Sequence, residues 1–385
     1  MLNHNLRPIF TGGTTLKITD IETIAVRNIP FPVSMEPAWD PGGTWQTYGT
    51  NIVKIHTDEG ITGIGAGYGG VSEFVKSQLI GKDPFATEQH IQVLRHAGGA
   101  WIIDLALWDL IGKAANQPLY KLWGGYQERV KAYASLVEMG SPEKRADDAR
   151  RIFGEGYRAI KLRLRNHTVK EDVALVRAVR DALGDAMDIM VDANQTNTYA
   201  WPRGGPVWTY ERALITAREL EQLNVVWLEE PLFRYDFDTL AKLCEQVNIY
   251  IAGGENNRGL HEFRWMIEKG SYDVLQPDAL VSEGISQLRK IAAMAEMYHK
   301  WFIPHHGGTG VGLAGHLHLC CAVPNCPYIE YFYDPPGLTV EAFQILLEEP
   351  LRIDAEGYLV PPQKPGLGIS LNEAVIAKYS GGQTI

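Results

Sequence analysis

From Val130 onward, short apolar runs alternate with amphipathic stretches. The strand-like runs are VKAYASLV (130–137), RAIKLRL (158–164), DIMVD (188–192), VVWLE (225–229), IYIAG (249–253), DVLQP (273–277), WFIPH (301–305) and YIEYF (328–332). Between most of them apolar residues recur at helical spacing, as in VKEDVALVRAVRDAL (169–183) and ERALITARELEQL (211–223). Eight short apolar strands alternating with helices predict an α/β chain built on a closed parallel (β/α)8-type barrel, with its chemistry at the C-terminal ends of the strands. The last strand–helix unit is the weakest. Upstream, residues 16–65 are β-rich and read as antiparallel, with Asp58-Glu59-Gly60 supplying hairpin turn chemistry. Between their two β-rich parts, FPVSMEPAWDPGGTWQTYG (31–49) reads as a long loop and functional lid, closing over the barrel mouth with Gly67-Tyr68-Gly69-Gly70. Residues 72–123 read as helical, including WIIDLALWDLIGKAA (101–115), interrupted by Asp104, Asp109 and Lys113. The expected division is an α+β N-terminal capping domain over residues 1–128, a barrel over 129–345, and a C-terminal segment, 346–385, that completes the cap.

Composition narrows the class. A chain of 385 residues with 45% hydrophobic and 21% charged content suits one large barrel plus a second domain. The net charge of −10 argues against nucleic acid and anionic membrane as partners. The first residues lack an apolar core behind basic residues, and no apolar run reaches the length of a membrane span. Four cysteines (Cys244, Cys320, Cys321, Cys326) are too few for a disulfide framework and lack zinc-site spacing. A cytoplasmic, homo-oligomeric protein acting on a small molecule is expected.

The strand ends carry the chemistry. Asp192, Glu229 and Glu255 each stand at the end of a successive apolar run. Carboxylates delivered by neighbouring strands converge on one small volume and need a cation to neutralise them. Oxygen-only ligation favours a hard divalent ion such as Mg²⁺. A single strand-end acid usually caps the next helix; three in order favour a metal. The second strand carries Lys161 and Arg163 at alternate positions, which face one side. The sixth ends in Gln276-Pro277-Asp278, the seventh in Pro304-His305-His306, and the eighth contains Glu330.

With its motifs in this order, the chain resembles the enolase superfamily, in its mandelate-racemase-like subgroup. The matching pieces are KLR (161–163), VDAN (191–194), WLEEP (227–231), GGEN (253–256), QPDA (276–279), IPHH (303–306) and IEYF (329–332). ALWDLIGKAANQPLYKLWGG (106–125) and PGLGI (365–369) resemble that family's cap-to-barrel junction and C-terminal segment. The resemblance implies a Mg²⁺ enzyme that removes the proton α to a carboxylate and stabilises the enediolate. It makes Asp192, Glu229 and Glu255 the ligands, and His305 with Asp278 the base dyad. Asn194 becomes a substrate contact, and Glu330 an acid that hydrogen-bonds the enediolate when protonated. Trp39 and Tyr68 of the lid segments complete the expected substrate-binding set. His306 is a rival base, Glu230 is unassigned, and Trp201 and Arg203 in the extended loop after the third strand read equally as contacts for a polar substrate or as part of a solvated surface excursion. His316 and His318 form an HxH in a helix, which is the wrong environment for a metal.

One position departs from the racemase pattern. Where two-base racemases carry a second lysine, this chain has Arg163, and guanidinium is never deprotonated in a protein. A single-base reaction is therefore expected: dehydration of an aldonate or aldarate to a 2-keto-3-deoxy acid by His305. Epimerisation or racemisation of a 2-hydroxy acid and sugar-lactone cycloisomerisation are the alternatives. A barrel hydrolase would need histidine ligands, and a binding protein would need neither base nor metal set.

Overall fold

The computed structural model describes residues 16–196 and 205–381. Trp201 and Arg203 lie outside the described residues. The described residues begin with three antiparallel strands, β1 (Ile18–Met35), β2 (Trp45–Thr57) and β3 (Thr62–Gly67). The β2–β3 hairpin turns at Asp58–Gly60 as its residues predict, with Gly60 at φ 76° and its N–H bonded to the Thr57 carbonyl. Helices Glu73–Leu79, Thr87–His96 and Ile102–Ala114 cover this sheet.

The expected loop over 31–49 is mostly strand. Residues 31–35 and 45–49 extend β1 and β2 into a long ribbon, with Pro30 facing Thr47 and Met35 facing Trp45. Prolines at 30 and 32 obscure the alternation without preventing the pairing, because β1 has a hydrogen-bonded neighbour on one side only. The turn at the end of this ribbon is anchored: Ala38 N–H donates to the Val137 carbonyl at 2.9 Å, and the Tyr48 hydroxyl donates to the Ala342 carbonyl at 2.6 Å.

Eight parallel strands follow: β4 (Val130–Ser135), β5 (Ala159–Arg163), β6 (Asp188–Asp192), β7 (Val225–Glu229), β8 (Tyr250–Gly253), β9 (Val274–Leu275), β10 (Trp301–Phe302) and β11 (Tyr328–Phe332). Their hydrogen-bonded order is β10-β9-β8-β7-β6-β5-β4-β11. At the seam, Phe302 N–H reaches the Asn325 carbonyl at 2.9 Å, and the Trp301 and Tyr328 rings lie 6.2 Å apart. Inside, Tyr133, Ala159, Met190, Trp227, Ala252, Val274 and Ile303 form a separate buried cluster, so the barrel is packed below its active end. β9 and β10 are shorter than their apolar runs, which leaves Asp278 and His305 on the connections beyond them. No described helix is long and apolar enough to cross a membrane.

The C-terminal segment divides its contacts. β12 (Tyr358–Leu359) pairs antiparallel with β4 of the barrel, whereas helix Glu373–Tyr379 packs on β1. Between them, Gly366 adopts φ 74° and passes so close to Gly112 and Asp109 that a Cβ there would clash. Asp109 is the anchor: it accepts from the N–H groups of Ile64 and Leu367 and pairs with Lys113. Asp109→Ala would orphan two buried donors and is expected to cost about 3 kcal/mol. The check is a lowered denaturation midpoint with the far-UV spectrum retained.

Candidate active site

The C-terminal ends of the barrel strands and the β1–β2 ribbon enclose a cavity of about 460 Å³. Asp192 and Glu229 end β6 and β7, and Lys161 and Arg163 lie on β5. The Lys161 ammonium is fully buried, 2.9 Å from Glu229 Oε1, 2.7 Å from Glu330 Oε1 and 4.0 Å from Asp192 Oδ2. Burial alone would lower its pKa; Glu229 and Glu330 reverse this and hold it above the ordinary lysine value. Arg163 donates to the Leu136 carbonyl at 2.7 Å, to Asp192 and to the Ser135 hydroxyl at 3.3 Å, and it lies against the Trp39 ring. Both cations are thus fixed by partners on several elements.

The carboxylates crowd one another. Burial first, then Glu229, pushes Asp192 up to about 7. Glu229 accepts from Lys161, from Trp227 Nε1 at 3.1 Å and from Gln276 Nε2 at 2.8 Å. Glu230 follows at φ 46°, a left-handed conformation rare outside glycine that turns it out of the strand's alternation toward the cavity. It is buried, neither of its oxygens has a hydrogen-bond partner, and burial with Glu255 and Asp192 nearby raises its pKa far above normal.

His305 and Asp278 meet as expected, with Nδ1 2.7 Å from Oδ2. Burial alone would raise the Asp278 pKa, but the imidazole brings it down to about 2. Burial would lower the His305 pKa; Glu255, Glu330 and Asp278 instead carry it up to about 10. Nε2 of His305 faces Glu255 Oε2 at 3.1 Å and Glu330 Oε2 at 3.8 Å. His306 stacks on Phe332 with centroids 3.9 Å apart, and its Nδ1 accepts the Gly308 N–H at 2.8 Å. Burial, then the neighbouring His305, keeps it neutral.

The surroundings of Glu330 favour its ionised form over the protonated donor expected from the sequence. It is fully buried between Lys161 and the Ser135 hydroxyl, and although burial opposes ionisation, Lys161 holds its carboxyl far below the usual range. Here it pairs with the Lys161 ammonium. Of the residues singled out from sequence, Arg163, Asn194, Glu230, Glu255, His305, His306, Trp39 and Tyr68 line the cavity. Lys161, Asp192, Glu229, Asp278 and Glu330 lie behind that lining, buried. Asn194 also turns its amide to Asp192 at 3.0 Å. The sequence reading passed over Arg165 and Asn256, which line the cavity too. Alternation along 161, 163 and 165 was the signal for Arg165. His316 and His318 are wholly buried in helix Gly310–Ala322 and accept the N–H groups of Ala279 and Tyr120.

The donors suit a divalent cation. Among the described residues, the group whose ligand atoms lie within 4.8 Å of one another is Asp278, His305 and His306, joined by the Asp278–His305 hydrogen bond and by ring contact between His305 and His306 at 4.0 Å. The strand-end acids are spread further, each turned toward a cation or donor. The unpartnered oxygens of Glu230 and the raised pKa values of Glu230 and Asp192 mark a carboxylate cluster short of positive charge. Mg²⁺, a hard oxygen-seeking ion, fits that deficit.

Comparison with known proteins agrees with this architecture. Residues 21–124 match the mandelate racemase / muconate lactonizing enzyme N-terminal domain, and residues 144–375 match the enolase C-terminal domain-like family. Arabinonate dehydratase of Saccharolobus solfataricus is 34% identical over 280 residues, 72% of this chain and 70% of that protein. The 3,6-anhydro-alpha-L-galactonate cycloisomerase of Streptomyces coelicolor is 30% identical over 92% of this chain and 97% of its own length. The L-talarate dehydratase structure from Polaromonas sp. JS666, complexed with Mg and L-glucarate, superposes with a TM-score of 0.79 at 29% identity, covering 94% of this chain and 97% of that one. A two-part match along nearly the whole chain places it: the protein is an enzyme of acid-sugar chemistry and belongs to the mandelate racemase / muconate lactonizing enzyme family of the enolase superfamily.

Proposed function

We propose that this protein is a Mg²⁺-dependent acid-sugar dehydratase that uses His305 as its only base. The observation carrying this reading is Arg163, pinned to Asp192 and Leu136 where a second base would otherwise stand. Mg²⁺, held by Asp192, Glu229 and Glu255 with Glu230 beside them, would supply the divalent charge that stabilises the substrate carboxylate as it becomes an enediolate. His305 Nε2 takes the α-proton while Asp278 holds the ring and steadies the imidazolium. The β C–O bond then breaks, and the imidazolium returns its proton to the departing hydroxide as water. The resulting enol gains a solvent proton at C3 and becomes the 2-keto-3-deoxy acid. Lys161 and Arg163 hold positive charge beside the developing anion throughout.

The test is a screen of aldonates and aldarates with Mg²⁺, trapping 2-keto acids with semicarbazide. Products without a keto group would refute dehydration. The cycloisomerase relative supports a second reading, because the same base can expel a ring oxygen in place of hydroxide; an anhydro acid in the screen separates the two. Asp278→Asn gives a further check. Removing that negative charge weakens the imidazolium, so the acid limb of kcat/KM should move to lower pH by about one unit as the rate falls. An unmoved limb would show that Asp278 does not tune the base.

A further inference from the structure

The apolar wall of the cavity has a chemistry that hydroxylated or doubly charged acids do not match. It is built by Phe31, Met35, Trp45 and Tyr48 of the β1–β2 ribbon, met by Leu338 and Phe343 beyond β11. The Phe31 ring stacks on Tyr48 at 4.9 Å and lies 6.4 Å from Trp45, so these side chains form a continuous surface of ring carbon. The one hydroxyl among the six is already committed, since Tyr48 donates to the Ala342 carbonyl. Among the described residues, the arginines and lysines lining the cavity are Arg163 and Arg165, and both lie at the β5 end beside Asp192 and Asn194.

Resting on the reading of the site as an acid-sugar dehydratase, we propose that this wall selects a monocarboxylic acid whose distal end is rich in C–H groups. A terminal methyl or the face of an anhydro ring fits; a terminal hydroxymethyl or second carboxylate does not. A methyl against this wall leaves water at no polar cost. A hydroxyl placed there loses its hydrogen bonds to solvent, and a carboxylate loses its hydration without meeting an arginine or lysine of the described residues. The substrate's reacting end is fixed by His305 and the acids, so its distal carbons are the part that meets the ribbon.

The test uses hexonates that share their configuration from C2 to C5 and differ at C6 alone: the 6-deoxyhexonate, the parent hexonate and the hexarate, with a 3,6-anhydrohexonate as a fourth arm. These are taken through the stereochemical series. The expected kcat/KM order is methyl over hydroxymethyl by at least about ten-fold, with the hexarate lower again. The fourth arm distinguishes a ring face from a methyl: tighter binding of either than of the parent hexonate supports the proposal, whereas turnover of the anhydro acid alone would replace the dehydratase reading with the cycloisomerase one. Trp45→Ala and Phe31→Ala should each compress the methyl preference several-fold. Equilibrium binding of the same acids to the His305→Asn protein with Mg²⁺ reads the order without turnover, which separates this proposal from the reaction assigned. Equal or better use of the hexarate, an unchanged preference in both variants, or no binding by any of the four would overturn it. Failure of 2-keto acid formation alongside the expected binding order would overturn the dehydratase reading alone.

Discussion

His305→Asn loses dehydration and solvent exchange of the α-proton together, with kcat falling by about a thousand-fold or more. Both losses follow from a site with one base. His305 presents Nε2 to the acids while Nδ1 is held by Asp278 at 2.7 Å. The other basic side chains nearby are poorly suited to take its place. Glu229 and Glu330 keep Lys161 protonated, Arg163 retains its proton, and His306 is turned by the Gly308 N–H to offer a donor at Nε2. In D₂O the wild-type enzyme should place solvent deuterium at C3 of its product, and the variant should release substrate still protonated at C2. Exchange at C2 persisting in His305→Asn at near wild-type rate would reveal a second base and bring epimerisation forward.

Much of this arrangement was legible in the sequence. The ends of β6 and β7 coincide with the ends of their apolar runs, so Asp192 and Glu229 follow directly from the pattern. Glu255, Asp278 and His305 lie two or three residues past shorter strands, and the motifs there located them better than periodicity did. What the sequence concealed depends on conformation or distance. The left-handed turn at Glu230 sends two consecutive acids to one site, against the alternation that would separate them. The charge state of Glu330 is set by an ammonium 2.7 Å away on a strand 169 residues earlier in the chain, which no local pattern reports. The prolines of the ribbon imitated a loop, and so hid the strands that carry the cavity's aromatic wall.

Chelation of the divalent ion should reduce turnover to background, with Mg²⁺ restoring it. The reason lies in the charge imbalance of the site. Six carboxylates, Asp192, Glu229, Glu230, Glu255, Asp278 and Glu330, face four cationic groups, Lys161, Arg163, Arg165 and His305. Without further positive charge the cluster responds by holding protons, as the raised pKa values of Asp192 and Glu230 indicate. An ion that binds the folded site and not the unfolded chain stabilises it by about 2.7 kcal/mol at a hundred times its Kd. Mg²⁺ should therefore raise the melting temperature by several degrees, a readout independent of turnover. Glu229→Gln removes one ligand charge while keeping a side chain that can still meet Lys161, so the fold should persist as both activity and the Mg²⁺-dependent stabilisation disappear. EDTA-treated protein that kept full activity, or a Glu229→Gln protein stabilised by Mg²⁺ as strongly as wild type, would place the ion elsewhere.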